Sequence, residues 1–318
     1  MSNVALPKSR IALIGAGHVG ATAAYALMLR ALFSEIVLID SDEELARAEA
    51  ADLRDANALA RPATIWAGTY ADAASAGIAV ITAGGATHGS QTRFSVASGS
   101  AQIVSGCVDQ LMLAGFAGII LVAANPVDLI ALIAHCRSGL PASRVIGTGT
   151  LLDTNRLRQA LSVTVGVAPG AVEGLVLGEH GDSEVVAFST LRIGGLPLDC
   201  FATPCEAPDR TEVARKVREA AYSIIAGKGY TSFGIATAIV RICEAMVRNE
   251  RAVLPVSTLL TGEFGITNVY LSLPCVLGTN GVERVLLPQL SGEEEAALHM
   301  SAQVLRNAAA AMETVASG

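Results

Sequence analysis

Residues 10–40, RIALIGAGHVGATAAYALMLRALFSEIVLID, decide the fold. Two short β-branched runs, RIALIG and EIVLID, flank an alanine- and leucine-rich stretch of helical composition. Gly15, Gly17 and Gly20 form G-x-G-x-x-G between the first strand and that helix. In such a βαβ unit the first glycine permits a tight turn and the second lets a pyrophosphate approach the backbone. The third lets helix and strand pack closely. Phosphate charge then sits at the helix N-terminus. Asp40 ends the second strand, where a carboxylate accepts hydrogen bonds from both ribose hydroxyls of an adenosine and repels a 2′-phosphate. The stretch therefore implies a dinucleotide site that takes NAD rather than NADP.

The same rhythm continues to about Gly149, with IAVITAG, GIILVAA and RVIG as further strands. Alternating β and α segments imply a parallel, doubly wound sheet of the Rossmann type. Beyond Leu151 the order changes to a helix, then EVVAFSTLRI, a long helix from about Asp209 to Gly227 and another to about Asn249. The strand candidates RAVLPVSTLL, VYLSLPCVLG and GVERVLL follow, and a C-terminal helix starts near Ser291. That is α+β order and implies a second, catalytic domain, with the division expected at 1–150 and 151–318. Val213, Val217, Ala221, Ile224 and Ile225 recur at helical spacing and predict a packing stripe.

A chain of 318 residues suits one large or two ordinary domains. Its net charge of −7, with no block of lysine or arginine, gives no electrostatic reason to bind nucleic acid or an anionic membrane. Leu111 to His135 is the most apolar stretch, but Asn125, Pro126 and Asp128 would stand in hydrocarbon if it crossed a bilayer. It reads instead as a helix end followed by a fully buried parallel strand. The six cysteines are scattered, and only Cys200 and Cys205 lie close together, with no second ligand pair for zinc. With no secretory segment ahead of the first strand, this pattern suits a reduced cytoplasm.

The chemistry of the second half sits in GTGTLLDTNRLR (147–158) and GEHGDS (178–183). His180, in a glycine-flanked turn, is the natural group to exchange a proton with an alcohol or ketone near neutrality. Asp153 and Arg156, three apart at a helix start, can face one cavity while serving different groups. A carboxylate favours the charged imidazole, and arginine's planar fork grips a substrate carboxylate through two parallel hydrogen bonds. Asn125 opens NPVD, where the following proline biases it toward extended backbone at a strand's C-terminal end. Ligands of open α/β sheets bind there, and the Asn125 amide is placed to meet both nicotinamide and substrate. Gly84 and Gly85 end another strand and let the cofactor pass close to the backbone. Val19, Tyr70 and Ala123 complete the expected cofactor-lining set.

GAGHVG, NPVD, GTGTLLDTNR and GEHGDS, in this order, resemble the NAD-dependent L-lactate and malate dehydrogenase family over nearly the whole chain. The resemblance makes His180 the acid/base, Asp153 its orienting partner and Arg156 the clamp on the substrate carboxylate. It places Arg93, in GGATHGSQTRFSVAS, in a loop that closes over substrate, where it would polarise the ketone and help exclude water. Thr87 stands where malate enzymes of the family carry arginine and lactate enzymes usually carry glutamine. Without a guanidinium there, a second substrate carboxylate would lie desolvated and unpaired, which argues against malate. Thr231, in GKGYTSFG, forms the other wall and looks like the lactate side of the family.

The activity implied is that of an L-lactate dehydrogenase, reversible hydride transfer between NADH and a 2-oxo monocarboxylic acid. The alternative is a broad-specificity L-2-hydroxyisocaproate dehydrogenase, because threonine leaves more room than glutamine and VIGTGTLLDT shares that likeness. A non-catalytic NAD-binding regulator on the same fold would be expected to lack one of Arg93, Asp153, Arg156 and His180, and all are present. Relatives that are tetramers or dimers imply a homo-oligomer. Some bacterial members bind a sugar bisphosphate between subunits through an arginine matched by Arg158 and a histidine replaced here by Glu173. A carboxylate facing a phosphate would repel it, so no activation by fructose 1,6-bisphosphate is expected.

Overall fold

Strand β1 (Arg10–Ile14) lies between β4 (Ile78–Ile81) and β2 (Glu35–Ile39), paired in parallel with both. The structure, a computed structural model, describes residues 10–60, 63–85, 93–198 and 208–316, without the side chains of 93–96 and 313–316. Beyond β2 lies β3 (Thr64–Ala67), and beyond β4 lie β5 (Ile119–Val122) and β6 (Val145–Gly147), all parallel. β4 and β5 are buried along their whole length, as strands covered on both faces must be. β3 was not among the runs legible as strands; TIWA is short, sits at the sheet edge and is only part-buried.

Helices cover both faces of the sheet. Leu27 of α1 (His18–Arg30) and Leu53 of α2 (Glu43–Asn57) belong to the core on one face. Val104 of α4 (Arg93–Leu113) and Ile130 of α5 (Val127–Ser138) belong to the core on the other, with Ala73 of the short α3 (Tyr70–Ala73). The chain winds outward from β1 to β3, then returns to β4, so the order reverses between β1 and β4. That reversal opens a crevice at the strands' C-terminal ends.

The second half begins with α6 (Leu151–Val165), followed by β7 (Val172–Leu177), β8 (Val185–Ile193) and β9 (Leu196–Pro197). These three strands form a small antiparallel sheet. Next come α7 (Arg210–Lys228), α8 (Phe233–Val247), β10 (Ala252–Thr261), β11 (Thr267–Gly278), β12 (Gly281–Val285) and α9 (Gly292–Ala316). β10 to β12 are antiparallel to one another and join the first sheet where Ser257 pairs with Gly147, giving it nine strands among the described residues. The main sheet therefore runs on past β6 into strands from the chain's second half.

The predicted stripe on α7 is only half a packing face. Val213 and Val217 are buried against Leu157, Leu161 and Val176, whereas Ile224 and Ile225 are 42% and 46% exposed. The first turns lie on the core shared with α6 and β7, and the last turns run past it. Among the described residues no helix is long and apolar enough to cross a membrane; the Leu111–His135 stretch is the end of α4, β5 and α5.

Candidate active site

The glycine turn after β1 is shaped by close backbone approaches. Gly15 has φ +105°, and a Cβ there would stand 2.5 Å from the Ala83 nitrogen. A Cβ at Gly20 would collide with the Gly15 carbonyl oxygen, so any side chain would push α1 off the turn. At Gly17 an added Cβ meets nothing within 4 Å: this side of the turn is open. An open turn at the start of a helix is what a pyrophosphate needs, with unpaired N–H groups and the positive end of the helix dipole facing it.

Asp40 sits directly after β2, beside that turn. Its Oδ2 accepts from the Ala16 N–H at 2.6 Å and its Oδ1 from the Asp42 N–H at 2.9 Å. Oδ1 also accepts from Ser41 Oγ at 3.4 Å, whereas Oδ2 keeps a lone pair for a further donor, so the residues present fit an adenosine ribose beside an anion site. Val19 packs against the core under α1. Tyr70 opens α3; burial first, then Cys107 and Asp40 nearby, push its phenol above its usual range. Gly84 and Gly85 follow β4, with the Gly85 N–H donating to Ser100 Oγ at 3.1 Å. Ala123 follows β5 and donates to the Ile81 carbonyl at 2.9 Å. The expected cofactor residues thus follow the C-terminal ends of β1 to β5.

A second site is assembled from the first turn of α6 and the turn between β7 and β8. His180 Nδ1 lies 2.5 Å from Asp153 Oδ2, and Arg156 Nη1 donates to Asp153 Oδ1 at 2.8 Å. Asp153 is 2% exposed. Burial would raise its pKa, but the His180 and Arg156 charges and hydrogen bonds hold it below the usual range. The same pair acts in reverse on His180. Burial would depress the imidazole, but Asp153, with Asp128 and Glu184 further off, lifts it to about 9. The histidine therefore carries its proton at neutral pH.

Hydroxyls and main chain fix both parts of this site. Thr150 Oγ1 donates to the Val176 carbonyl at 2.5 Å, and the Val176 N–H donates to Thr154 Oγ1 at 3.0 Å, tying the start of α6 to β7. Gly178 and Ser272 exchange two backbone hydrogen bonds, each 3.0 Å. The Glu179 N–H donates to Ser301 Oγ of α9, and the His180 N–H donates to Asp128 Oδ2 of α5, both at 2.8 Å. Asp128 is 2% exposed, and burial pushes its carboxyl up to about 6.

Asn125, Asp153, Arg156 and His180 line one cavity of about 450 Å³. Asn125 lies shortly after β5 and precedes a cis peptide bond to Pro126, and both residues line the cavity. Thr231 is not in that lining. It follows Tyr230, whose ring stacks on His18 of the glycine turn at 3.8 Å between centroids and 10° between planes. Arg93 opens α4, but its side chain lies outside the described set; Thr87, Cys200 and Cys205 lie outside the described residues altogether.

Several contributors were not singled out from the sequence, Asp128, Glu184, Arg218 and Met312 among them. Asp128 was visible as the last residue of NPVD, and Glu184 lies four residues after His180. Arg218 of α7 and Met312 of α9 also line the cavity, and nothing in their local sequence marks them.

A doubly wound sheet with a dinucleotide turn, joined to a cavity holding a charged His–Asp pair and an arginine, is the architecture of a nicotinamide-dependent dehydrogenase. Residues 9–147 match the lactate/malate dehydrogenase NAD binding domain, and residues 150–315 match the lactate/malate dehydrogenase alpha/beta C-terminal domain. The chain belongs to the lactate/malate dehydrogenase family, and its cofactor is NAD. It is 40% identical to the L-lactate dehydrogenase of Thermus aquaticus over 310 residues, 95% of this chain and 99% of that one. It is 41% identical to the L-lactate dehydrogenase of Priestia megaterium over 304 residues, 94% of this chain and 96% of that one. Among solved structures it resembles the minor L-lactate dehydrogenase from Enterococcus mundtii in its ligands-bound form. The TM-score is 0.92 at 38% identity, with 97% of this chain and 98% of that one covered.

Proposed function

We propose that this chain transfers hydride reversibly between NADH and a 2-oxo monocarboxylic acid, pyruvate foremost, with the activity of an L-lactate dehydrogenase. The observation that carries the reading is the His180–Asp153 pair, 2.5 Å apart, in the cavity that also holds Arg156. Bound NADH supplies the hydride. Arg156, with Nη1 on Asp153, has further N–H donors for the substrate carboxylate. His180, gripped at Nδ1, offers the Nε2 proton to the ketone oxygen as negative charge grows there. Asp153 stabilises the imidazolium before that transfer and fixes its tautomer after it. In the oxidative direction neutral His180 takes the proton back from the alcohol.

Arg93 as the polarising loop arginine, Thr87 and Thr231 as side-chain selectors and Asn125 as the group shared by cofactor and substrate extend this reading from the resemblance. The identity to L-lactate dehydrogenases favours pyruvate over branched 2-oxo acids. The change from parallel to antiparallel pairing after β6 supports a division near residue 150. Assembly as a homodimer or homotetramer is supported by exposed apolar side chains on α7 and α8, Tyr222, Ile225 and Phe233 among them. A reducing, cytoplasmic setting agrees with the free thiols of Cys107, Cys136, Cys243 and Cys275.

The test follows NADH absorbance with pyruvate, 2-oxobutyrate, 4-methyl-2-oxopentanoate, phenylpyruvate and oxaloacetate. Pyruvate is expected to lead in kcat/KM by about tenfold, the scale on which pocket contacts separate such analogues. A lead by one of the larger acids would overturn the pyruvate assignment, and no turnover on any would overturn the dehydrogenase reading.

A further inference from the structure

Glu184, just before β8, is a buried acid that the proposed hydride transfer does not use. It is 6% exposed, lines the same cavity as Arg156 and His180, and its Oε1 has no hydrogen-bond partner. A buried carboxylate oxygen without a donor is costly when charged, and taking up a proton removes most of that cost.

The charged and titratable groups around it come from every wall of the cavity. Asp153 and Arg156 stand on α6, Arg218 on α7, and Glu179, His180 and Asp182 on the turn, with Asp128 of α5 behind His180. Burial first, then the negative charge of Asp153, pushes Glu184 up to about 8, against the pull of His180, Arg218 and Arg156.

We propose that Glu184 is a positioning residue whose proton sets the affinity of the cavity for an anionic substrate. Neutral, it leaves the Arg156 guanidinium to the substrate carboxylate; ionised, it competes for that guanidinium and repels the incoming anion. Binding of the anion from alkaline solution then moves one proton from solvent onto the Glu184 carboxylate, with no other bond made or broken. The inference rests on reading the cavity as a 2-oxo acid site.

The experiment has two arms. Pyruvate reduction at saturating NADH, measured from about pH 7 to about pH 9.5, separates KM from kcat. The alkaline fall in kcat belongs to His180 and is expected in both proteins, at somewhat lower pH in Glu184→Gln, which lacks one of the charges that lift the imidazole. The rise in KM over that range is expected to be about tenfold smaller in Glu184→Gln, the change that one pKa unit of interaction represents. An equal rise in both proteins overturns the inference.

Infrared difference spectra of the wild-type protein with NADH form the second arm. A neutral carboxylic C=O band that titrates out near pH 8 and is missing from Glu184→Gln supports the inference. It is distinct from Asp128, whose carboxyl is pushed up only to about 6. If the variant does not fold, the wild-type titration still decides, because a protein with no such band above pH 7 overturns the inference. This arm needs no turnover, so a chain that reduces no 2-oxo acid strikes the functional reading, whereas a missing band strikes Glu184.

Discussion

The nucleotide turn and the proton-donating cavity, joined along one sheet edge, are built by opposite means. Gly15, Gly17, Gly20 and Asp40 lie within a single βαβ unit, and each does its work through backbone shape or one local hydrogen bond. The cavity is gathered from α4 to α7, α9 and the turn between β7 and β8. Its charges support one another, since Asp153 holds His180 and Arg156 at once. The turn is therefore expected to lose function gradually when altered, and the cavity abruptly.

Asp153→Asn is the severest way to break that contrast short of removing the histidine. Losing the carboxylate removes what lifts the imidazole to about 9, so the alkaline limb of kcat should move to lower pH. Turnover should fall about a hundredfold or more, the range for a misplaced general acid. Stopped-flow rates across pH check both points, and an unmoved limb would show that Asp153 does not govern His180.

Arg156→Lys keeps the charge and discards the fork. The KM for pyruvate is expected to rise about ten- to a hundredfold, as befits one charge-assisted hydrogen bond lost. Steady-state kinetics at fixed NADH reads it directly.

On the turn, Asp40→Asn should weaken NADH by about tenfold, one hydrogen bond to a charged group. The KM for pyruvate at saturating NADH should hold. Fluorescence titration of NADH measures the first, and a matching loss in pyruvate affinity would mean the two regions are not separable.

The smallest expected effect is none. Glu173 is exposed on β7, and its charge acts on the part-buried Arg158. Initial rates at subsaturating pyruvate are expected to stay level when fructose 1,6-bisphosphate is added, and a clear activation would contradict this.

The same contrast explains what the sequence revealed. β1, β2 and the glycine turn are legible because their residues are neighbours in the chain and each type has a local job. His180, Asp153 and Arg156 are legible because their side-chain chemistry is rare and their spacing is short. Glu184 and Arg218 are not, because their relevance comes from burial and from facing one cavity, which only the fold decides. β3 escaped for a different reason: four residues at a sheet edge, of which only Ile65 is fully buried, carry too little pattern. The exposed end of α7 misled because apolar helical spacing marks a face without saying what covers it. β10 to β12 read as strands, but whether they pair with β6 depends on a single contact between Ser257 and Gly147.

The most direct measurement compares wild type with His180→Asn for NADH oxidation by pyruvate and, in the same preparations, for NADH binding by fluorescence. Turnover is expected to fall by about a thousandfold, within the range of a lost general acid, while the NADH affinity set by the glycine turn and Asp40 stays within a factor of about two. A variant that still turns over pyruvate near the wild-type rate would contradict the assignment of proton transfer to His180.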